Sequence, residues 1–433
     1  MAKRALLVGC NYPGSDAALK GCINDVKSME SLLTTVFKFN PQDIVIMIDT
    51  DPSKPKPTGV NIKNELTRLV GLTKPGDTMV FHFSGHGTQL PSDNPKELDG
   101  KDEAIVPCDM NVILDDDLRN IFSKLPVDAH FAMVADCCHS GTMLDHTEVQ
   151  ITGNKDGSPD LPAGLALPAA LGSIFGLKEL PAGGITVDGQ DFKNRSLPVD
   201  TLSKLLSSLL GTNVQPGNLR ESLTRGFGPD ASIKAKAYIG YLTQIHKEMK
   251  AEGKQPGCDI KTLMDVVKRL FKKASHKPSG VPQGAGTAPG AGAYGNAPVG
   301  GAAGGGGAGG MGGISLQSIL AGIIPAGVAA KPGSKPPPDA QLNPDVGVLI
   351  SGCRDRETSA DACPTGDPAQ AYGALTNALT TVVNQHYKAS PGQPITYMQV
   401  VAGVRELLGK SGFKQNPCLE CSQGNAMRPF IGA

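Results

Sequence analysis

Met79-Val80-Phe81-His82-Phe83-Ser84-Gly85-His86-Gly87 and Phe131-Ala132-Met133-Val134-Ala135-Asp136-Cys137-Cys138-His139-Ser140-Gly141 each read as a short, mostly apolar run followed at once by a turn of small residues. Such runs, bounded by turn residues, are the signature of strands buried on both faces of a parallel sheet. Side by side, these two would deliver His86 and Cys138 to the same sheet edge, where imidazole and thiol make a base and a nucleophile. Glycine-rich turns leave backbone N–H groups free to hold a developing oxyanion, and the N–H groups of Gly87 and Cys138 are the natural donors. The pattern predicts a cysteine-dependent hydrolase.

Working outward, residues 4–8, 44–48 and 103–107 are further short apolar runs, and 22–37 and 60–70 carry helical spacing. Alternating strands and helices imply an α/β fold with a mostly parallel central sheet flanked by helices and functional residues at the carboxyl ends of the strands. Residues 1–150 read as one catalytic region. Residues 341–433 offer one strand, Val346 to Gly352, and helices near 369–387 and 397–408, too little for a separate core; they are expected to complete the first region's sheet. Between them, 151–340 form a long insertion. Its helical part, about 195–277, has helix candidates at 200–210, 233–252 and 259–274, and its Gly/Ala/Pro-rich stretch, 279–313, cannot bury enough apolar surface to offset ordering entropy and is expected to be disordered.

Composition narrows the function classes. The 433 residues include 54 Gly and 34 Pro, so much of the chain is loop, and 41 basic residues balance 41 acidic ones, which removes any global pull toward nucleic acid or an anionic membrane. The first apolar run is too short for a signal peptide, and the stretch from Ile314 to Ala330 is broken by Pro325, so no transmembrane segment is expected. Ten cysteines spread thinly over the chain fit a reducing compartment, and a cytoplasmic location is expected. Cys418 and Cys421 have metal-ligand spacing but lack a second pair. The basic run Lys268-Arg269-Leu270-Phe271-Lys272-Lys273 reads as a solvated helix face.

Either adjacent cysteine could be the nucleophile on composition alone. Strand alternation puts them on opposite faces, and Cys138, directly against the His139-Ser140-Gly141 turn, is the choice; Cys137 reads as a small buried residue. His86 precedes Cys138 by 52 residues, close to the roughly 50 found in caspases. No third catalytic side chain is evident, so a dyad is expected. Asp99, Asp102, Glu103, Asp109, Asp115, Asp116 and Asp117 crowd one loop region relieved internally only by Lys101; hard oxygen ligands in an irregular loop suit calcium, while a solvated acidic loop is the commoner occurrence.

These turns, together with Asp99-Gly100-Lys101-Asp102-Glu103-Ala104-Ile105-Val106-Pro107, Asp115-Asp116-Asp117, Ile350-Ser351-Gly352-Cys353 and Thr358-Ser359-Ala360-Asp361, resemble metacaspases across residues 3–150 and 345–433. The first strand at the very start and the long insertion resemble the type II arrangement. The resemblance implies a caspase-like fold and a calcium-activated endopeptidase cutting proteins and peptides after Arg or Lys. It implies a basic-residue pocket of Cys22, Asp25, Ser84 and Asp136; on spacing alone Asp25 would read as part of a helix start. It also implies calcium as activator, not catalytic metal, at Asp99, Asp102, Asp115, Asp116 and Asp145. The insertion would inhibit the site until cut, with Arg220 and then Arg225 as the expected positions, in a monomeric zymogen serving stress response or programmed cell death. A caspase-fold peptidase of asparaginyl specificity and a non-catalytic scaffold are the alternatives.

Overall fold

Ala5-Leu6-Leu7-Val8 are all buried within the strand Lys3–Gly9 (β1), the mark of a strand covered on both faces. Around it the computed structural model describes residues 1–91, 101–138, 150–151, 185–187, 190–232, 347–353 and 357–432. The helices expected at 233–252 and 259–274, the stretch 279–313, the basic run at 268–273, the 139–141 turn, Asp99 and Asp145 lie outside them.

After β1 come helix Cys22–Thr35 (α1), strand Ile44–Ile48 (β2), helix Gly59–Leu72 (α2) and strand Thr78–Ser84 (β3). Strands His86–Pro91 (β4), Lys101–Val106 (β5) and Ile113–Leu114 (β6) precede helix Asp115–Phe122 (α3) and strand His130–Asp136 (β7). The insertion contributes Gln150–Ile151 (β8), Ile185–Val187 (β9), Gln190–Asn194 (β10), Val199–Leu210 (α4) and Leu219–Phe227 (α5). The last part holds Gly347–Ser351 (β11), Ala360–Cys363 (β12), Tyr372–Gly373 (β13), Ala374–Ala389 (α6), Tyr397–Lys410 (α7) and Cys418–Glu420 (β14). Thr58 caps α2 by accepting the Asn61 N–H, and Thr396 with Gln399 forms a capping box on α7.

The central sheet has seven strands in the order β2-β1-β3-β7-β11-β14-β8. The first four pairings are parallel and the last two antiparallel. The expected mostly parallel sheet is therefore present, and β11, from the far end of the sequence, lies beside β7 within it. Strand alternation divides the core. Leu6, Val8, Phe81, Phe83, Met133 and Ala135 face α2, α3 and the insertion helices α4 and α5. Ala5, Leu7, Val80, Val134, Val348 and Ile350 face α1, α6 and α7.

The run at 103–107 is a correction. β5 lies in a separate antiparallel sheet, β4-β5-β6, because β4 follows β3 after Gly85 alone and pairs with the next strand as a hairpin; a parallel return to the central sheet would need a crossover of about a dozen residues or more. A third sheet, β13-β12-β10-β9, joins insertion strand β10 to β12 of the final part.

Leu202 and Leu206 of α4 and Leu219 and Leu223 of α5 are buried in the first cluster, so this part of the insertion is packed. Truncating Leu206 to Ala should weaken that docking by about 2–5 kcal/mol. Hydrogen exchange should then show lost protection across residues 199–210 with β3 and β7 unaffected; equal loss in the sheet would contradict separate docking.

Candidate active site

Ser84 at the end of β3 sits opposite Asp136 at the end of β7, so both sequence motifs leave the sheet at the same level. A Cβ on Gly87 would run into the Cys138 carbonyl, which is why glycine is needed where the two turns meet. Tyr12 steadies the histidine turn. Its hydroxyl accepts the His86 N–H at 2.8 Å and donates to the Val106 carbonyl at 2.6 Å, and its ring lies 4.9 Å from the imidazole. Tyr12 holds φ at 48°, a left-handed conformation uncommon for a bulky residue, secured by the Asp49 carboxylate, which accepts the N–H groups of Asn11 and Tyr12 at 3.0 and 2.7 Å.

His86 Nε2 is 2.7 Å from the Ala17 carbonyl oxygen. A carbonyl only accepts, so the neutral ring carries its proton on Nε2 and presents Nδ1 as a lone-pair acceptor; among the described residues Nδ1 has no hydrogen-bond partner. Burial pushes His86 down to about 4, leaving it neutral and able to take a proton. The expected dyad thus has an orienting group, a backbone carbonyl that no side-chain motif could reveal. Cys137 joins the apolar core, whereas Cys138 Sγ accepts the Ser359 N–H at 2.8 Å and lies 3.2 Å from Asn194 Oδ1.

Beside the cysteine, the Arg195 guanidinium is fully buried. Its Nη2 donates to Asp25 at 2.8 Å and to Asp361 at 2.9 Å. Its Nη1 donates to Ser84 Oγ and the Asp136 carbonyl, each at 2.9 Å, and lies 3.2 Å from the Asp136 carboxylate. Each carboxylate is itself held. Asp136 accepts the Thr376 N–H and hydroxyl and the Ser359 hydroxyl, all at 2.8 Å; Asp25 accepts the Gly373 N–H and the Ser84 hydroxyl; Asp361 accepts the N–H groups of Lys20 and Gly21. Three carboxylates share one guanidinium, and burial pushes Asp25 up to about 6. Burial opposes the charge on Arg195 too, but the surrounding acids outweigh it and hold its pKa well above its ordinary range. Burial pushes the Cys22 thiol up, opposed by the Arg195 guanidinium. The four expected pocket residues therefore converge, with Asp361 as a fifth that sequence reasoning quoted without a role.

Arg195 arrives on an extended segment. β10 pairs antiparallel with β12, Asn194 opposite Ala360, burying Phe192. The Arg195 N–H donates to the Ser359 carbonyl at 3.0 Å, and its own carbonyl accepts the Gly87 N–H, one of the two expected oxyanion donors, at 2.9 Å. Leu197 then donates to the Gly87 carbonyl at 2.8 Å and accepts the Thr88 hydroxyl at 2.7 Å. A polypeptide lies across the site with a basic side chain in the pocket.

The expected cut positions both lie on α5. Arg220 is buried on α5, 2.5 Å from Asp102, and Arg225 is an exposed residue of the same helix paired with Glu221; Arg195 takes the place by Cys138. Its signal in the sequence was a basic residue in the extended run Phe192-Lys193-Asn194-Arg195-Ser196-Leu197 just ahead of Pro198. The acidic run divides. Asp109 accepts the N–H groups of Gly59 and Asn111, and Asp117 accepts the Leu114 N–H at the start of α3. Asp115 and Asp116 pair with Arg119 at 3.2 and 2.9 Å. Among the described residues no three His, Cys, Asp or Glu side chains converge on one metal position, Cys418 and Cys421 included.

Comparison with known proteins adds a family. A family model described as metacaspase, peptidase C14 domain, matches residues 3–147. Metacaspase-4 of Arabidopsis thaliana is 34% identical over 462 residues, covering 100% of both chains, and Metacaspase-6 of the same plant is 34% identical over 436 residues with the same coverage. Metacaspase-1 of Cryptococcus neoformans var. neoformans is 40% identical over 167 residues, 37% of this chain and 36% of its own.

His82, buried in β3, contacts Thr376 Oγ1 at 3.2 Å, and burial pushes its pKa down to about 4. The folded chain therefore refuses a proton that the unfolded chain accepts below about 6.5, so this residue costs stability as pH falls from there to 4. Relative to His82→Asn, the wild-type chain should lose about 1.4 kcal/mol per pH unit across that window. Urea midpoints measured at several pH values test this; parallel curves would refute it.

Proposed function

This chain belongs to the metacaspase family, in its type II arrangement, and is a cysteine peptidase; on that footing we propose that its residues 190–197 hold it as a zymogen and that, released by calcium, it cuts polypeptides after Arg or Lys. The observation that carries the reading is the Arg195 guanidinium among Asp25, Asp136 and Asp361. A pocket so built favours a guanidinium through charge-assisted hydrogen bonds and also accepts an ammonium. Caspase-type recognition of aspartate would meet three carboxylates there.

In this reading Cys138 gives its proton to His86 Nδ1 and attacks the carbonyl carbon after the basic residue, while the Gly87 N–H takes the oxyanion. His86 then protonates the departing amine, and water releases the acyl group. The first self-cleavage falls between Arg195 and Ser196, in place of Arg220 or Arg225.

Calcium is proposed as the activator. Asp102, Asp115 and Asp116 are hard oxygen donors of the kind calcium takes, and their charges are answered here by Arg220 and Arg119; Asp99 and Asp145 would complete the set. A cation at Asp102 would have to displace Arg220 of the insertion, which couples binding there to loosening of α5. The nine described cysteines form no disulfide with one another, as a reducing cytoplasm would keep them, and a protease waiting on calcium suits stress response or programmed cell death.

Fluorogenic peptides that differ only in the residue before the cut test the specificity. The reading expects calcium-dependent cleavage after Arg and Lys, none in Cys138→Ala, and a loss of about 30-fold or more in kcat/KM for Asp136→Asn. Cleavage after Asn instead would favour an asparaginyl enzyme, and no cleavage of any peptide a scaffold. Calorimetry on the Cys138→Ala chain tests the coupling: adding Arg220→Met should tighten calcium binding about tenfold, and unchanged affinity would separate Arg220 from the cation.

A further inference from the structure

Arg195 is seated as a substrate residue would be, with its N–H on the Ser359 carbonyl, its carbonyl on the Gly87 N–H and its side chain in the pocket. Such a segment should be cut unless something opposes the chemistry. Asn194, the residue before it, is nearly buried. Its Oδ1 accepts the Ser196 N–H at 2.7 Å, and since that nitrogen only donates, the contact fixes which way the carboxamide faces. The same oxygen lies 3.2 Å from Cys138 Sγ, closer than the Ser359 carbonyl oxygen at 3.6 Å, and is the nearer acceptor for the thiol proton. His86 Nδ1, the base, stands without a hydrogen-bond partner among the described residues.

Building on the reading of Arg195 above, we infer that Asn194 makes this segment an inhibitor in place of a substrate, by holding the Cys138 thiol proton and the Ser196 amide proton on one oxygen. Peptides with asparagine immediately before the basic residue are then bound well and cut slowly. Cleavage requires the Cys138 proton to pass to His86 Nδ1 as the S–C bond forms and the carbonyl π pair moves to oxygen. The C–N bond to Ser196 must then break as that nitrogen takes the proton back from the imidazolium, and water finally converts the thioester to acid and thiol. Asn194 opposes both proton transfers. It directs the thiol proton to a weakly basic amide oxygen, and it pins the leaving N–H so that the nitrogen's lone pair does not turn toward His86. Alanine at this position has neither effect, while the backbone pairing of Asn194 with Ala360 remains. Asn194 is in this sense a positioning residue that sets turnover without setting pocket choice.

The test uses the calcium-treated full-length enzyme and two octapeptides, Asp-Phe-Lys-Asn-Arg-Ser-Leu-Pro, the sequence of residues 191–198, and the same peptide with Ala in place of Asn. Both should be cut after Arg, with kcat for the Asn peptide about tenfold or more below that of the Ala peptide and KM equal or lower. In the intact chain without calcium, Asn194→Ala should speed cleavage between residues 195 and 196 by a similar factor. Equal kcat for the two peptides, or a higher KM as the sole difference, overturns the role of Asn194 while leaving Arg195 in place. If the enzyme cuts an Arg reporter but neither octapeptide at its Arg, the reading of Arg195 itself fails, and this inference with it.

Discussion

One guanidinium, that of Arg195, is buried among Asp25, Asp136 and Asp361, and the arrangement of the molecule around the site depends on it. Asp25 comes from α1, Asp136 from the end of β7, Asp361 from β12 and Arg195 from the insertion, so the cluster ties together every part of the described chain. Ion pairs of this kind add little net stability, because desolvation consumes most of the attraction, but removing one partner strands a buried charge at a cost of about 3–5 kcal/mol. The pocket therefore resists standing empty. It favours a guanidinium of its own chain until another basic residue, or water, replaces it. Gly373 keeps the cluster tight, since a Cβ there would strike both Arg195 and the Asp136 carboxylate.

Among the described residues the insertion is held by more than the Arg195 cluster. Strand β10 adds to β12 through backbone hydrogen bonds, α4 and α5 bury leucines against one face of the sheet, and Arg220 reaches the buried carboxylate of Asp102. Strand β10 and helix α4 lie on separate elements, so loosening one weakens the hold without abolishing it, whereas Arg220 shares α5 with Leu219 and Leu223 and loosens together with them. The Arg220–Asp102 pair, like the Arg195 cluster, is made chiefly by charge.

Much of the scaffold was legible because it is local. Apolar runs such as Ile44–Ile48 and Val348-Leu349-Ile350 are strands, being too short between turn residues for a buried helix, and the small-residue turns after β3 and β7 disclosed His86 and Cys138. Alternation also separated Cys138 from Cys137. What escaped depends on proximity that no local pattern records. Ala17 acts through its carbonyl, which any residue carries. Asp361 and Arg195 meet across 166 residues of sequence, and β5 was placed in the wrong sheet because a buried strand of a hairpin and one of a parallel sheet look alike over five residues. Arg220 was expected as a cut position because the resemblance puts an inhibitory segment in the insertion and residues 218–228 read as lying between helices; its own helix and its ion pair with Asp102 follow from tertiary packing.

The central claim is that the chain's own Arg195 fills the pocket that would receive a substrate's basic residue. Mass spectrometry of the intact wild-type chain over the first seconds after calcium is added tests it most directly. The account predicts that the first new amino terminus is Ser196. A first cut after Arg220 or Arg225, with the bond between Arg195 and Ser196 still whole, would contradict it.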